Sequence, residues 1–319
     1  MKKALYLVFI IIAGVFVSCE DGADNIIIIP GGDESQDTTQ TGDDTDTTAT
    51  NIPDDWNLFQ SYACYDDLAA NDLNILTWNI EWFPKRSSNT LSRLAELINN
   101  SNADLIAMQE IAEPSQLATL RELLPGWNFK YYNVRGDQEL AYFYKESEIS
   151  SITDLSIIFP DNTSAFYRPP VITTIKHISG QEVTLFNIHL KCCSGAENVA
   201  RRREASELLK AHIDNNYANQ KVIVLGDFND DIEKSDTPFS NFIEDKDGYY
   251  FADMEIANGS NQYWSYPSFG TTGSHIDHIL ITDELFESVK SVSTLAFDNC
   301  INSYDYYISD HRPVMITLE

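Results

Sequence analysis

Basic residues are scarce in this 319-residue chain, which has 21 Lys and Arg against 49 Asp and Glu and a formal net charge of −28 at pH 7. Residues 20–56 hold eleven of the acidic residues and no basic one. With this segment and the two N-terminal lysines set aside, residues 57–319 still hold 38 acidic and 19 basic residues. Non-specific binding of long nucleic acids depends mainly on Lys and Arg at the phosphates. The composition therefore excludes binding through a general basic surface, so any phosphate site must be local or assisted by metal cations.

The chain also lacks an apolar run of the roughly 20 residues that a membrane-spanning helix needs. Its longest apolar segment, Ala4 to Val17, follows Lys2-Lys3 and precedes Ser18-Cys19. This order is typical of a secretory signal, so we predict a signal peptide over residues 1–18. A cysteine directly after a small residue is similar to a bacterial lipobox, and simple cleavage that leaves an ordinary thiol is the alternative. We expect an exported outer-membrane or cell-surface lipoprotein, held at the membrane by a lipid on Cys19.

Residues 19–56 have few large apolar side chains and are rich in Asp, Thr and Gly. Such a segment buries too little apolar surface to offset its ordering entropy, so we predict a disordered acidic tether. The remaining residues, 57–319, show no internal repeat and no second linker. We predict that they form one catalytic domain, and we expect a monomer.

Cysteines are few as well. Beside Cys19 the chain has only Cys64, Cys192, Cys193 and Cys300. An even number of cysteines in an exported chain permits disulfides, although the sequence leaves their pairing open. The adjacent Cys192 and Cys193 have no further Cys or His at zinc spacing, so we expect structural bridging here and not a metal site.

What the chain does have, from residue 71 onward, is an alternation of strand and helix patterns. Apolar, β-branched runs predict strands, and runs with helical periodicity predict helices. The predicted strands cover residues 73–80, 104–111, 139–145, 171–177, 183–191, 221–227, 277–282 and 314–318, and the predicted helices cover 91–100 and 199–213. Strand, helix, strand with short links indicates a βαβ unit. Many strands with few long helices predict an α/β fold, a four-layer sandwich of two packed mixed β-sheets flanked by helices.

Polar residues stand where these strands begin or end. The stretch K-V-I-V-L-G-D-F-N-D-D, residues 221–231, shows the pattern most clearly, because a buried strand passes directly into carboxylates and an amide. Any one such position could be an ordinary turn residue. Their recurrence at six strand ends predicts an active site instead. The positions are Asn79, Glu110, His189, Asp227, Asn229, Asp277, Asp310 and His311.

The same positions lie in six short motifs, W-N-I-E, M-Q-E-I, N-I-H-L-K, L-G-D-F-N-D, H-I-D-H-I-L and S-D-H-R-P-V. In this order they resemble the motif set of the endonuclease/exonuclease/phosphatase superfamily, over roughly residues 71–319. The resemblance implies a hydrolase acting on phosphoric ester bonds. Such chemistry needs a hard divalent cation, and Mg²⁺ binds a few carboxylates while keeping water ligands. The cation is predicted to be Mg²⁺, with Mn²⁺ or Ca²⁺ as alternatives.

The resemblance also implies a role for each position. Asn79, Glu110 and Asp310 match the metal positions of the family. His311 matches the base that activates water, since histidine titrates near neutral pH, and Asp277 orients it. Asp227 and Asn229 would hold the attacking water and a phosphoryl oxygen.

Two further positions carry weaker expectations. His189 would contact the scissile phosphate or protonate the leaving oxygen. Arg168, in F-Y-R-P-P, matches a phosphate-contacting arginine, with a surface ion pair as the alternative.

The substrate is predicted to be DNA, because H-L-K followed by an Arg-rich helix, together with G-D-F-N-D, is most similar to the secreted nucleases of the superfamily. The acidic net charge argues against a long polyanion, so a phosphatase or phosphodiesterase on lipid or sugar phosphates, similar to sphingomyelinases, is the alternative. A surface binding module that has lost turnover is a third reading.

Overall fold

The structure is a computed structural model in which residues 72–133, 137–267, 273–299 and 301–319 are described. The predicted signal peptide, the Cys19 anchor, the tether and its boundary at residue 57 lie outside these ranges, as do Cys64 and Cys300. No helix within the described ranges is both long enough and apolar enough to cross a membrane.

The described residues form thirteen strands and six α-helices. In chain order they are β1 (Leu73–Phe83), α1 (Ser88–Asn100), β2 (Leu105–Ile111), α2 (Gln116–Glu122), β3 (Trp127–Tyr132), β4 (Glu139–Lys145), β5 (Ile149–Ile152), β6 (Ser156–Ile157), β7 (Val171–His177), β8 (Glu182–His189), α3 (Ala196–Asn216), β9 (Val222–Asp227), α4 (Ser240–Ile243), β10 (Tyr249–Phe251), α5 (Met254–Ala257), β11 (Asp277–Thr282), β12 (Val289–Thr294), α6 (Tyr304–Tyr307) and β13 (Val314–Leu318).

These strands build two mixed sheets. The first has the order β12-β13-β1-β2-β4-β3, and the second has the order β10-β11-β9-β8-β7-β5, with β6 paired to β7. Each sheet contains one parallel pair, β1 with β2 and β8 with β9, and a helix connects the strands of each pair. The predicted βαβ unit is therefore present, and a second one joins β8 through α3 to β9.

The sheets pack face to face with helices outside. Apolar side chains of both sheets meet in one buried cluster, which includes Ile75 and Tyr142 of the first sheet and Leu185 and Leu225 of the second. Separate clusters bury the outer face of the first sheet against α1 and α2, and that of the second sheet against α3. The predicted four-layer sandwich of two mixed sheets is confirmed.

The topology brings six chain segments to one edge of the sandwich. Strands β1, β2, β8 and β9 end there, while β11 and β13 begin there, since each runs antiparallel to a neighbour. Gly226 lets β8 and β9 approach closely just before this edge. Its φ is 148°, and a Cβ atom at this position would lie 1.9 Å from the carbonyl oxygen of Ile188.

Candidate active site

Strand register places three of the predicted residues side by side in the second sheet. His189 at the end of β8 pairs with Asp227 at the end of β9, and Asp227 pairs with Asp277 at the start of β11. All three side chains are buried. His189 Nε2 lies 3.5 Å from Asp227 Oδ2. The sequence-predicted set therefore comes together here because its members end neighbouring strands.

Asn79 joins the two sheets at this edge. Its side-chain amide donates to Glu110 Oε1 of the first sheet and to Asp227 Oδ2 of the second, each at 3.0 Å. Its oxygen accepts from the backbone N–H of Glu81 at 3.0 Å. Only this orientation of the amide satisfies all three bonds, because the carboxylates are acceptors and the N–H is a donor. In this arrangement Asn79 positions two carboxylates, and its role as a metal ligand stays a prediction.

Glu110 is held from three directions. Its φ of 62° turns the chain near the end of β2. Its Oε2 accepts from the backbone N–H of Trp82 at 3.2 Å and from the side chain of Gln138 at 3.1 Å. Gln138 in turn accepts a hydrogen bond from Arg168. Arg168 is thus tied to the site through Gln138, and its contact with a phosphate remains a prediction.

The loop before β13 places Asp310 and His311. The hydroxyl of Ser309 donates to Asn79 O at 2.6 Å and accepts from the backbone N–H of His311 at 3.0 Å. The backbone N–H of Asp310 donates to Glu81 Oε2 at 2.9 Å. The loop is therefore attached to β1 at two points, which holds both residues at the site edge.

His311 pairs with Asp277. Its Nδ1 lies 2.7 Å from Asp277 Oδ2, and both side chains are buried. Burial alone would lower the pKa of His311, but the charge of Asp277 and the hydrogen bond outweigh it and raise this pKa well above its ordinary value. The opposite nitrogen, Nε2, faces Asp227 Oδ2 at 4.0 Å and Asp310 Oδ1 at 3.8 Å. The pair therefore has the geometry of an oriented base.

The surroundings shift the pKa values of the two histidines of the site in opposite directions. Burial, together with the charges of Arg168 and His311, holds the pKa of His189 well below its ordinary value. Burial and the charge of Asp277 raise the pKa of Asp227 to about 7. Groups whose pKa values are pushed apart in this way are typical of acid–base sites.

Six of the predicted residues line one cavity of about 480 Å³, namely Glu110, His189, Asp227, Asn229, Asp310 and His311. Asn79 and Asp277 support them from behind through the hydrogen bonds to Glu110, Asp227 and His311. The predicted constellation thus forms a wall that faces the cavity and a second set of side chains that orients it.

The cavity is suited to a divalent cation. Three carboxylates, those of Glu110, Asp227 and Asp310, line it together. Burial and the charge of Asp277 raise the pKa of Asp227, and a cation beside this carboxylate would favour its charged form. Carboxylate oxygens are ligands of Mg²⁺, Mn²⁺ and Ca²⁺. These residues therefore fit the predicted metal, and its identity stays a prediction.

Several contributing residues escaped the sequence reasoning. Gln138 orients Glu110, and Ser265 accepts from the backbone N–H of Asp277 at 3.1 Å. Glu81 holds the backbone of Asp310, whose N–H donates to Glu81 Oε2. Of the cysteine pair beside the cavity, Cys193 is disulfide-bonded and Cys192 is a free thiol. No motif marks Gln138 or Ser265, because their partners are distant in sequence.

Carboxylates, an oriented His–Asp pair and an open cavity meet at the shared edge of two sheets, and these are groups that hydrolysis of phosphoric esters can use. Comparison with protein-family models gives the family. The model of the Endonuclease/Exonuclease/phosphatase family matches residues 76–311, and the chain belongs to this family. The predicted superfamily resemblance is confirmed. No curated protein sequence matches the chain.

Solved structures of the same fold have low sequence identity to this chain. D. rerio TDP2, in a complex with a single-strand DNA product, is 17% identical with a TM-score of 0.62, and the match covers 78% of this chain and 99% of that one. The mannosyl-6-phosphatase Bt3783 of Bacteroides thetaiotaomicron is 18% identical with a TM-score of 0.58, covering 77% and 100%. The human Nocturnin catalytic domain, with a bound sulfate anion, is 15% identical with a TM-score of 0.56, covering 78% and 94%. At these identities the likeness establishes the fold alone.

Proposed function

We propose that the protein is an exported, Mg²⁺-dependent phosphodiesterase that hydrolyses DNA. The observation that carries the proposal is the 2.7 Å pairing of His311 with Asp277 at a cavity lined by Glu110, Asp227 and Asp310. A base, an orienting carboxylate and a set of hard oxygen ligands are the groups that phosphodiester hydrolysis requires.

Glu110 and Asp310 would hold the cation, with Asn79 beside them. When bound, the cation supplies positive charge to the phosphoryl oxygens and the leaving oxygen. Asn79 keeps the carboxylates of Glu110 and Asp227 apart at a fixed separation through its two donated hydrogen bonds. The chain therefore contributes a rigid set of oxygen ligands.

His311 takes the proton of the attacking water on Nε2 while Asp277 holds Nδ1. The water oxygen forms a bond to phosphorus, the bond to the leaving oxygen breaks, and that oxygen takes a proton from solvent. Asp227 and Asn229 hold the water and a phosphoryl oxygen. His189, whose pKa is held below its ordinary value, donates its N–H to a second phosphoryl oxygen, and protonation of the leaving oxygen is its alternative role.

DNA as the substrate is supported by the fold neighbour that was solved with a single-strand DNA product. A second candidate, a phosphatase or phosphodiesterase on sugar or lipid phosphates, is favoured by the charge of the cavity. Beyond the three carboxylates, its lining adds Asp230 and Asp231, and the one exposed cation in the lining, Lys234, is paired with Asp231. The mannosyl-6-phosphatase has the same fold. The complete set of competent residues argues against a silent binding module.

Gel assays of the detergent-solubilised full chain on linear and supercoiled DNA, with Mg²⁺ or with EDTA, test the proposal. We expect Mg²⁺-dependent degradation, and the products distinguish internal nicking from trimming of ends. Intact DNA beside hydrolysis of bis-p-nitrophenyl phosphate by the same preparation would exclude the nuclease and select the second candidate.

We also propose that the chain is a monomeric lipoprotein anchored through Cys19, as the N-terminal sequence supports. Fractionation of cells expressing wild type and Cys19→Ser tests the anchor. We expect the wild type in the membrane fraction and the variant outside it, whereas equal membrane association of both would contradict lipidation.

A further inference from the structure

Asp230 directly follows the segment Asp227–Asn229. Two buried cationic side chains, those of Arg202 and His278, donate hydrogen bonds to it. Arg202 is 2% exposed. Its Nε and Nη2 both donate to Asp230 Oδ2, at 3.0 and 2.8 Å. Its Nη1 donates to the carbonyl oxygens of Lys191 and Cys193, at 2.6 and 3.0 Å. Arg202 therefore ties the loop after His189 to the loop after Asp227.

His278 is hydrogen-bonded to the backbone of Asp230. Its Nδ1 lies 2.5 Å from Asp253 Oδ2, and its Nε2 lies 3.0 Å from the carbonyl oxygen of Asp230. Both partners are acceptors, so both ring nitrogens carry protons and the ring is a buried imidazolium. The side chain of Asp253 is itself fixed, because it also accepts from His275 Nε2 at 2.9 Å and from the backbone N–H of Ile279 at 2.8 Å.

A metal ion could be considered for this cluster, since ligand atoms of Asp253, His275 and His278 lie within 4.8 Å of one another. The hydrogen bonds exclude it in this arrangement. The backbone N–H of Ser265 donates to His275 Nδ1 at 3.1 Å, so the ring proton is on Nε2, which faces Asp253. A nitrogen that bears a proton has no lone pair for a metal. The cluster is therefore a hydrogen-bonded support.

The segment next to Asp230 is a tight turn. Asn229 has a φ of 56°, in the left-handed region that asparagine adopts more readily than other non-glycine residues. Its backbone N–H donates to Asp227 Oδ1 at 2.9 Å, and its side chain donates to Leu190 O at 3.2 Å. A small displacement of Asp230 would therefore change the position of both Asp227 and Asn229.

We propose that Asp230, held by Arg202 and His278, is a positioning residue that fixes Asp227 and Asn229 toward the cavity. This inference rests on the proposed function of that cavity. A displacement of about 1 Å at a reacting group lowers the rate by about 10²-fold. We therefore expect Asp230→Ala to lower kcat on bis-p-nitrophenyl phosphate by about that factor while KM changes little.

The matched control is Asp104→Ala. Asp104 is also a buried carboxylate, which accepts from the backbone N–H of Asn74 at 2.8 Å and lies 3.7 Å from Lys145 Nζ. It precedes β2, whose other end carries Glu110, and does not line the cavity. Both variants are assayed well below their melting temperatures, with kcat expressed per folded molecule. We expect Asp104→Ala to keep kcat within about two-fold of wild type, since its loss affects stability alone.

A second pair of variants separates the hydrogen bond from the ring. His278→Gln keeps a donor for the carbonyl of Asp230, and His278→Phe keeps the ring and removes both donors. We expect the Gln variant to retain several-fold more kcat than the Phe variant. Equal kcat in Asp230→Ala and wild type, or equal losses in Asp230→Ala and Asp104→Ala, would overturn the inference.

Hydrogen exchange tests the positioning role of Asp230 without any substrate. It therefore distinguishes a failure of this inference from a failure of the proposed function. The backbone N–H of Asn229 is bonded to Asp227 Oδ1 only while the turn is held. We expect its exchange to accelerate by about ten-fold or more in Asp230→Ala and to stay unchanged in Asp104→Ala. Unchanged exchange in Asp230→Ala overturns the positioning role of Asp230, even if the wild type shows no hydrolysis.

Discussion

Replacement of Asp277 by Asn removes the charge beside His311 while preserving the shape of the side chain. Asp277 Oδ2 lies 2.7 Å from His311 Nδ1. Two unit charges about 4 Å apart interact by about 4 kcal/mol where the effective dielectric constant is about 20. The substitution therefore lowers the pKa of His311 substantially.

Two effects on catalysis follow. A general base must be unprotonated, so activity rises with pH through the pKa of His311, which Asp277 holds well above its ordinary value. In Asp277→Asn this rise shifts to lower pH, because the charge that raises the pKa of His311 is gone. The amide also no longer fixes the ring as the carboxylate does, and an oriented general base contributes about 10²- to 10⁴-fold. We expect kcat to fall by about 10²-fold or more.

The assay is the pH dependence of kcat and kcat/KM for wild type and Asp277→Asn, with Mg²⁺ and bis-p-nitrophenyl phosphate. A rise that stays at the same pH, or a kcat within about three-fold of wild type, would refute the role of the pair. Wild-type activity that falls as His311 loses its proton would show that the imidazolium is the active form, and would leave Asp227 as the base.

Three further predictions concern the metal site, the buried core and the close approach of β8 to β9. Glu110→Gln removes a ligand charge, and we expect Mg²⁺ affinity measured by calorimetry to fall at least ten-fold; unchanged affinity would remove Glu110 from the metal site. Tyr142→Phe removes a buried hydroxyl that donates to Val171 O at 2.8 Å and accepts from a backbone N–H, and we expect urea unfolding to show a loss of about 1–3 kcal/mol with kcat retained. Gly226→Ala brings a Cβ to 1.9 Å from Ile188 O and should prevent native packing of β8 on β9. Gly180 has a φ of 93° and open space around it, so Gly180→Ala should lower the free energy of unfolding by only about 1 kcal/mol. Equal melting temperatures for the two variants would contradict this.

Central strands were predictable because they are buried on both faces. The segments 139–145, 171–177, 277–282 and 314–318 match β4, β7, β11 and β13 to the residue. Each segment contains a short run of apolar, aromatic or β-branched residues, which is typical of a strand.

The strands that the sequence did not reveal lie mainly at the sheet margins. β3 and β12 are the edges of the first sheet, and β5 and β10 are the edges of the second. An edge strand has one neighbour and is partly exposed, as the mixed burial of β12 shows, so its sequence V-K-S-V-S-T carries only a weak pattern. The short helix α2 and the two-residue strand β6 are stabilised by their tertiary contacts and are similarly weak in sequence.

In the site, too, some residues were predictable from the sequence and others were not. Residues at the ends of central strands, such as Asp227 and His189, could be found because strand ends converge in this fold. Gln138, Asp230 and Asp253 act through partners far away in sequence; Asp253, for example, lies 25 positions before His278. Nothing in a single sequence indicates which distant side chain will meet a given carboxylate, so this supporting layer became visible only in the structure.

The most direct test of the central claim is hydrolysis of bis-p-nitrophenyl phosphate by the full chain and by an Asp227→Ala, His311→Ala double variant, over a titration of Mg²⁺. If the cavity at the shared sheet edge is the hydrolytic centre, wild-type turnover requires the metal and is abolished by EDTA. The double variant, still folded, is then slower by about 10³-fold or more. Equal turnover by the two proteins would contradict the claim and place hydrolysis outside this cavity.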